Sequence, residues 1–202
     1  CSGPRDLAYD SNSSRLYVSC YSSGTIKYMN ISNADYTTWT GYILVGKTTS
    51  GVTSTTTKTD GTIGAAGTAQ AYQPNQLRFD TSNNVLYFTE TGTCTVRAVN
   101  LSGSSKSWWN SAVTITNNSV GTLLGATCTT YAEGAVASHR FNGNIMGLEL
   151  RMNGSTLEGL YLTDWNNHHV IFANNTASTI TIGSAAVPSY NTKTIWGNGT
   201  AA

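Results

Sequence analysis

Apolar and polar positions fall into short runs bounded by clusters of Gly, Asn, Ser, Thr and Asp, the pattern of strands joined by tight turns. No stretch carries the 3.6-residue period and end caps of a helix, so almost no helix is expected. The runs also repeat. Gly3-Pro4-Arg5-Asp6-Leu7-Ala8-Tyr9-Asp10, a turn and Leu16-Tyr17-Val18-Ser19-Cys20 align without a gap, 70 residues on, with Gln73-Pro74-Asn75-Gln76-Leu77-Arg78-Phe79-Asp80, a turn and Leu86-Tyr87-Phe88-Thr89-Glu90. A looser third copy runs from Gly143 through Leu148 and Leu150 to Leu160-Tyr161-Leu162-Thr163-Asp164.

Each copy continues into a third strand (Thr25–Tyr28, Thr95–Ala98, His169–Phe172) and, after an insert, a fourth (Tyr42–Gly46, Thr122–Gly125, Thr194–Gly197). Gly/Ala-rich lead-ins follow at Gly67–Tyr72, Gly134–Ala137 and Gly199–Ala202. The lead-in Gly-x-Ala-x-x-Ala-x-aromatic, then Pro, apolar-x-x-Asp and Leu-Tyr-Val-x-Asp, resembles the NHL repeat of β-propellers, most closely over Gly67–Asn100. The first copy departs from it with Cys20 in the Asp position, and the second has Glu90 there. The third keeps Asp164, followed by Trp165-Asn166-Asn167, but lacks the Pro and the Asp after its first strand.

The resemblance implies an all-β fold, a β-propeller with three four-stranded blades: blade one over 1–46, blade two over 67–125 and blade three over 134–197, with inserted loops at 47–66 and 126–133. Propellers close with roughly four to eight blades. Three blades leave open faces, to be covered by blades outside these residues or by a second copy, with a six-bladed ring the simplest closure. Up-and-down strand order puts the inserts Asn30–Gly41, Asn100–Gly121 and Asn174–Lys193 on one face. The latter two hold candidate extra strands at Ala112–Ile115 and Thr179–Ile182. The Thr-rich run Thr48–Thr59 with Asp60-Gly61-Thr62 reads as a mobile loop.

Composition narrows the function. Charged residues are 10% of the chain and the net charge is +1, with no basic run to hold nucleic acid. No apolar run approaches the ~18 residues of a membrane span. A charge-poor Ser/Thr/Asn surface suits a secreted or cell-surface location, and a start at Cys1 is expected of a processed or trimmed end. Sequons at Asn12, Asn30, Asn100 and Asn153 are too readily produced by this composition to establish glycosylation. The repeat register pairs Cys1 with Cys20 and Cys94 with Cys128, one of three connectivities, which favours an oxidising compartment. Four free buried cysteines are the alternative, and a lipid anchor on Cys1 is disfavoured by the strand motif that abuts it.

Candidate chemistry is sparse. Trp39, Trp108, Trp109, Tyr131 and Trp165, with Tyr36 and Tyr190, fall in loops, where aromatic faces beside Asn and Ser suit a glycan or a protein surface; Trp108 and Trp165 are the ones expected to be exposed. Asn166, Asn167 and His168 extend that candidate surface. Glu90, Asp164 and His168 are weak metal candidates, since three or four ligands must converge. There is no phosphate loop, nucleophile elbow or cofactor motif. The expectation is a recognition or adhesion module for a glycan or protein partner; the alternatives are a propeller hydrolase or lyase with a channel metal, and a structural oligomerisation unit.

Overall fold

The computed structural model describes residues 1–31, 39–46, 57–126 and 128–197. The protein is all-β, as expected, and the helical turns Val136–Ser138 and Trp165–Asn167 are three residues each. The first sheet is a meander of β1 (Pro4–Asp10), β2 (Arg15–Cys20), β3 (Thr25–Asn30) and β4 (Gly41–Val45). The second sets β5 (Gly61–Thr62) outside a meander of β6 (Pro74–Asp80), β7 (Val85–Glu90), β8 (Thr95–Asn100) and, after a hairpin, β11 (Ser119–Leu124). That hairpin is β9 (Lys106–Trp108) with β10 (Val113–Ile115). The third repeats the plan: β12 (Gly134–Ala135) lies outside β13 (Ile145–Asn153), β14 (Thr156–Asp164), β15 (His169–Asn174) and β18 (Asn191–Trp196). Its own hairpin is β16 (Ile180–Ile182) with β17 (Ala185–Val187). Both hairpins fall where extra strands were anticipated.

The register is the same in all three sheets. Ala8, Tyr17, Tyr28 and Tyr42 stand abreast in the first, Arg78, Tyr87, Ala98 and Gly121 in the second, and Glu149, Tyr161, Phe172 and Lys193 in the third. The inner strands β1, β6 and β13 each carry an irregularity near their start, and the outer strands β4, β11 and β18 each pair with one. A glycine with positive φ then follows each outer strand: Gly46, Gly125 and Gly197. A Cβ there would lie 2.2 Å from the Cys94 carbonyl oxygen at Gly125 and 1.9 Å from that of His168 at Gly197, so a side chain is excluded.

Period-two alternation gives each sheet two faces. Tyr17 and Ala8 pack with Leu77, Leu86, Phe88, Val99 and Val120 of the second sheet. The opposite face of that sheet, with Tyr87 and Ala98, packs with Leu148, Leu160, Leu162 and Ile171 of the third. The inner strands are neighbours in sequence order, tied where Arg78 reaches Asp6 at 3.2 Å and Glu149 at 2.8 Å.

Two expectations need correction. Trp108 and Trp109 are buried, not displayed. The β9–β10 hairpin turns Trp108 edge-on to Tyr87, where its indole N–H donates to the Tyr87 hydroxyl (3.1 Å), while the Trp109 indole donates to the Leu123 carbonyl (3.2 Å). With both indole donors satisfied, the rings are free to be buried. Asp60-Gly61-Thr62 is not loose: Gly61 and Thr62 pair with Val120 and Ser119, and Asp60 accepts from the Thr122 amide at 2.9 Å. Most of the Thr-rich run, with Tyr36, lies outside the described residues.

The two disulfides are Cys1–Cys20 and Cys94–Cys128, as the register indicated, and no free cysteine is present. Each joins a second- or third-strand end to the segment beside it.

Candidate functional site

At the end of the third sheet β14 stops at Asp164, and the turn Trp165–Asn167 leads into β15. The chain reverses at His168, whose φ of 54° places it in the left-handed region, and its amide donates to the Trp165 carbonyl. Asn167 supports the turn by donating to Asp164 Oδ2 at 2.7 Å. Asn166 packs over Gly143, where any Cβ would collide with it. These two asparagines thus shape the turn.

The turn and the last residues of β18 enclose a cleft of about 410 Å³. Trp165 (66% exposed) stands on one part of its wall and Trp196 (78% exposed) on another, with His168, His169 and Val170 between them. Asp164 lies beneath them, 1% exposed, with Oδ1 lacking a hydrogen-bond partner. His169 Nδ1 is likewise buried without one. Unpaired buried polar atoms are costly, and these two lie behind the cleft wall with almost no surface of their own.

Beside His169 lies a polar layer that runs from the exposed Glu133 through the half-buried Tyr131 to the buried His139. Tyr131 meets His169 at 4.6 Å between ring centroids and His139 at 5.7 Å, both edge-on. Its hydroxyl bridges Glu133 and Thr194 at 2.9 and 2.7 Å. Burial pushes the Tyr131 phenol up. Burial also pulls Glu133 upward, but hydrogen bonds from Thr194 and Tyr131 outweigh it and hold the carboxyl below its usual range. His139 Nδ1 bonds the Thr192 hydroxyl at 2.8 Å, Nε2 has no partner, and burial lowers the ring to about 4.

The unfolded chain therefore takes a proton on His139 near pH 6.5, well before the folded chain does. The stability contributed by the neutral ring is complete above that value, declines as pH falls, and is lost below pH 4. Denaturant melts should show a loss of about 3 kcal/mol across this window. His139→Asn, which keeps a short polar side chain but does not titrate, should remove most of that slope. An unchanged slope in the variant would assign the effect to other groups.

The remaining sequence candidates are dispersed. Glu90 is completely buried and used within the fold: Arg97 holds it at 2.6 Å, the Thr93 hydroxyl donates to it, and the Tyr72 amide donates at 3.3 Å. Of the weak metal candidates, Asp164 and His168 share the cleft, but Glu90 belongs to the second sheet. Among the described residues no three His, Cys, Asp or Glu side chains converge as a metal site would need. Trp39 is half-buried, does not line the cleft, and has interactions of its own. Trp196 and His139 were not singled out from the sequence. The repeat alignment held a signal for Trp196, which stands where the other copies have Val45 and Leu124.

No protein-family model matches the chain, and no curated protein matches it. Solved structures do. One is a protein of unknown function from Bacteroides thetaiotaomicron, 13% identical, with a TM-score of 0.52 over 85% of this chain and 33% of its own. Another, described as an auxiliary nutrient binding protein from the same organism, is also 13% identical, with a TM-score of 0.52 over 94% of this chain and 35% of its own. The chain spans about a third of the length of each, and at this identity the likeness is one of fold.

Proposed function

We propose that the chain is a β-propeller-type recognition module of an extracellular or envelope protein. Its binding surface, on this reading, is the Trp165–Trp196 cleft with the adjoining face of the third sheet, and its ligand there is a protein surface. The propeller assignment is supported by three sheets of one register with neighbouring inner strands. Two disulfides are compatible with an oxidising location, and among the described residues no helix is long and apolar enough to cross a membrane.

The observation that carries the binding assignment is the exposure of two indoles around one cleft, at 66% and 78%. Tryptophan gives large contact area and one donor at small entropic cost, and it is enriched among the residues that dominate protein interfaces. A glycan is the second reading. It is favoured by the polar side chains Thr163, His168 and His169 that line the cleft beside those rings.

The test is a binding screen of the intact, oxidised protein against immobilised glycans and extracellular proteins, repeated with Trp165→Ala and Trp196→Ala. A genuine ligand of this surface should bind either variant roughly thirtyfold more weakly. Silence in both arms from a folded protein, or binding indifferent to both changes, would sink the proposal.

A further inference from the structure

A second cleft, of about 340 Å³, lies between the second and third sheets and shares no residue with the Trp165–Trp196 cleft. One wall is the β9–β10 hairpin with Lys106 and Ser107, and the other is the β13–β14 turn with Ser155 and Thr156. Tyr87, Trp108 and Leu157, all buried, close its floor.

Lys106 is the one cation lining it. The ammonium is aimed by Asn83, whose side-chain nitrogen donates to Asp80 Oδ2 and to the Ser155 carbonyl, both at 2.7 Å, leaving Oδ1 to accept from Lys106 at 2.9 Å. Asp80 itself is buried, and its other oxygen accepts from the Asn83 amide at 3.0 Å. Among the described residues no carboxylate forms an ion pair with Lys106. The half-buried ammonium therefore faces the cleft with its charge unmatched. Ser107, Ser155 and Thr156 are exposed around it.

The hairpin wall is held in costly geometry. Trp109, Asn110 and Ser111 have φ of 54°, 55° and 65°, three successive non-glycine residues in the left-handed region. Such backbone persists where its surroundings fix it, most often at functional sites. Here the fixing group is Asn175 of the third sheet. Its Oδ1 accepts the Trp109 amide at 2.8 Å, and its Nδ2 donates to the Leu157 carbonyl at 3.0 Å. The Asn83 clamp has a counterpart between the first two sheets, where Asn12 donates to the Thr81 carbonyl at 3.0 Å. Asn175 departs from the repeat. It stands in register with Leu101, which packs against the apolar core shared by the first two sheets, so the scaffold alone does not call for a polar residue there.

We infer that this cleft binds the terminal uronate of a glycan, with Lys106 on the carboxylate and Ser107, Ser155 and Thr156 on the ring hydroxyls. One ammonium matches one carboxylate, whereas a phosphate dianion is ordinarily met by several donors of positive charge. Hydroxyl side chains both donate and accept, as sugar hydroxyls do. The volume sits at the lower end of the roughly 300–1,000 Å³ usual for small-ligand sites, which suits a single sugar ring.

The experiment is titration of the intact, oxidised protein with methyl glucuronide and methyl glucoside, followed by amide NMR. The glucuronide should shift Lys106, Ser107, Thr156 and Asn175, and the glucoside should bind roughly tenfold more weakly. Lys106→Gln should reduce the glucuronide to the glucoside's level, and Thr156→Val should weaken it about threefold. Trp165→Ala should leave it unchanged, since that ring lines the other cleft. Equal binding of the two glycosides, shifts absent from these residues, or a folded Lys106→Gln that binds as the wild type does would overturn the inference. So would acetate or inorganic phosphate binding as tightly as the glucuronide, or free glucuronate binding while its methyl glycoside does not. The comparison of glycosides uses the unaltered protein, so it decides the matter even if a variant fails to fold.

Discussion

Arg97→Ile should destabilise the protein by about 3–5 kcal/mol, the largest loss expected of any single exchange considered. The substitution is the one the repeat itself supplies, since Ile171 occupies the corresponding place opposite Leu162. Arg97 is wholly buried, yet its guanidinium is saturated: it donates to Glu90 (2.6 Å), to the carbonyls of Gln70 (2.7 Å) and Thr59 (2.8 Å), and to Asp60 (2.7 Å). It thereby fastens the segment entering the second sheet to the middle of that sheet. Removal strands Glu90 as an uncompensated charge, while the Gln70 and Thr59 carbonyls keep only the backbone amides of each other's residues as donors. Arg97→Ile combined with Glu90→Gln should recover part of the loss, because the cost lies mainly in the abandoned charge rather than in the net worth of the pair. Urea melts decide the matter: a single variant within 1 kcal/mol of wild type, or a double variant worse than the single by a similar margin, would refute this account.

Removal of the Cys94–Cys128 bridge should cost about 4 kcal/mol, and of Cys1–Cys20 about 3 kcal/mol, on the loop-entropy scale. The order follows from sequence separations of 34 and 19 residues. Paired Cys→Ser replacements avoid a stray thiol and are compared by the same melts. The longer bridge also holds the chain leaving β11 against the second sheet, beside Phe141, so its loss should raise amide exchange over residues 128–141. Equal costs, or a larger one for the shorter bridge, would indicate that native-state geometry outweighs chain entropy.

The strand quartets and cysteine pairs were legible because they depend on local alternation and equal spacing. Tyr17, Tyr87 and Tyr161 announce three equivalent strands, and their partners Tyr28, Ala98 and Phe172 follow at once from the turn lengths. What periodicity cannot convey is which face another sheet covers. Trp108 was read as displayed because it sits in an insert. Its burial depends on the Tyr87 hydroxyl, supplied by a strand 21 residues away. Trp196 aligns with the buried Val45 and Leu124, yet it is exposed, because no sheet among the described residues packs on its side. Arg97 was hidden in an otherwise apolar strand because its partners, Asp60 and Thr59, lay in a stretch read as mobile. The cleft was half visible: Asp164, Trp165 and His168 lie within five residues of one another, whereas Trp196 and the His139–Tyr131 layer join them only through pairing of distant strands.

The two-residue strands β5 and β12 have a bearing on how such an array changes over time. In both places the polypeptide touches the rim of a sheet immediately before it crosses to lay down that sheet's innermost strand. Rim and centre of the second and third sheets therefore come from one uninterrupted stretch of gene. Duplicating or deleting such a stretch would lengthen or shorten the row by one complete cassette without rethreading its neighbours, so arrays of different size can descend from one another in single steps.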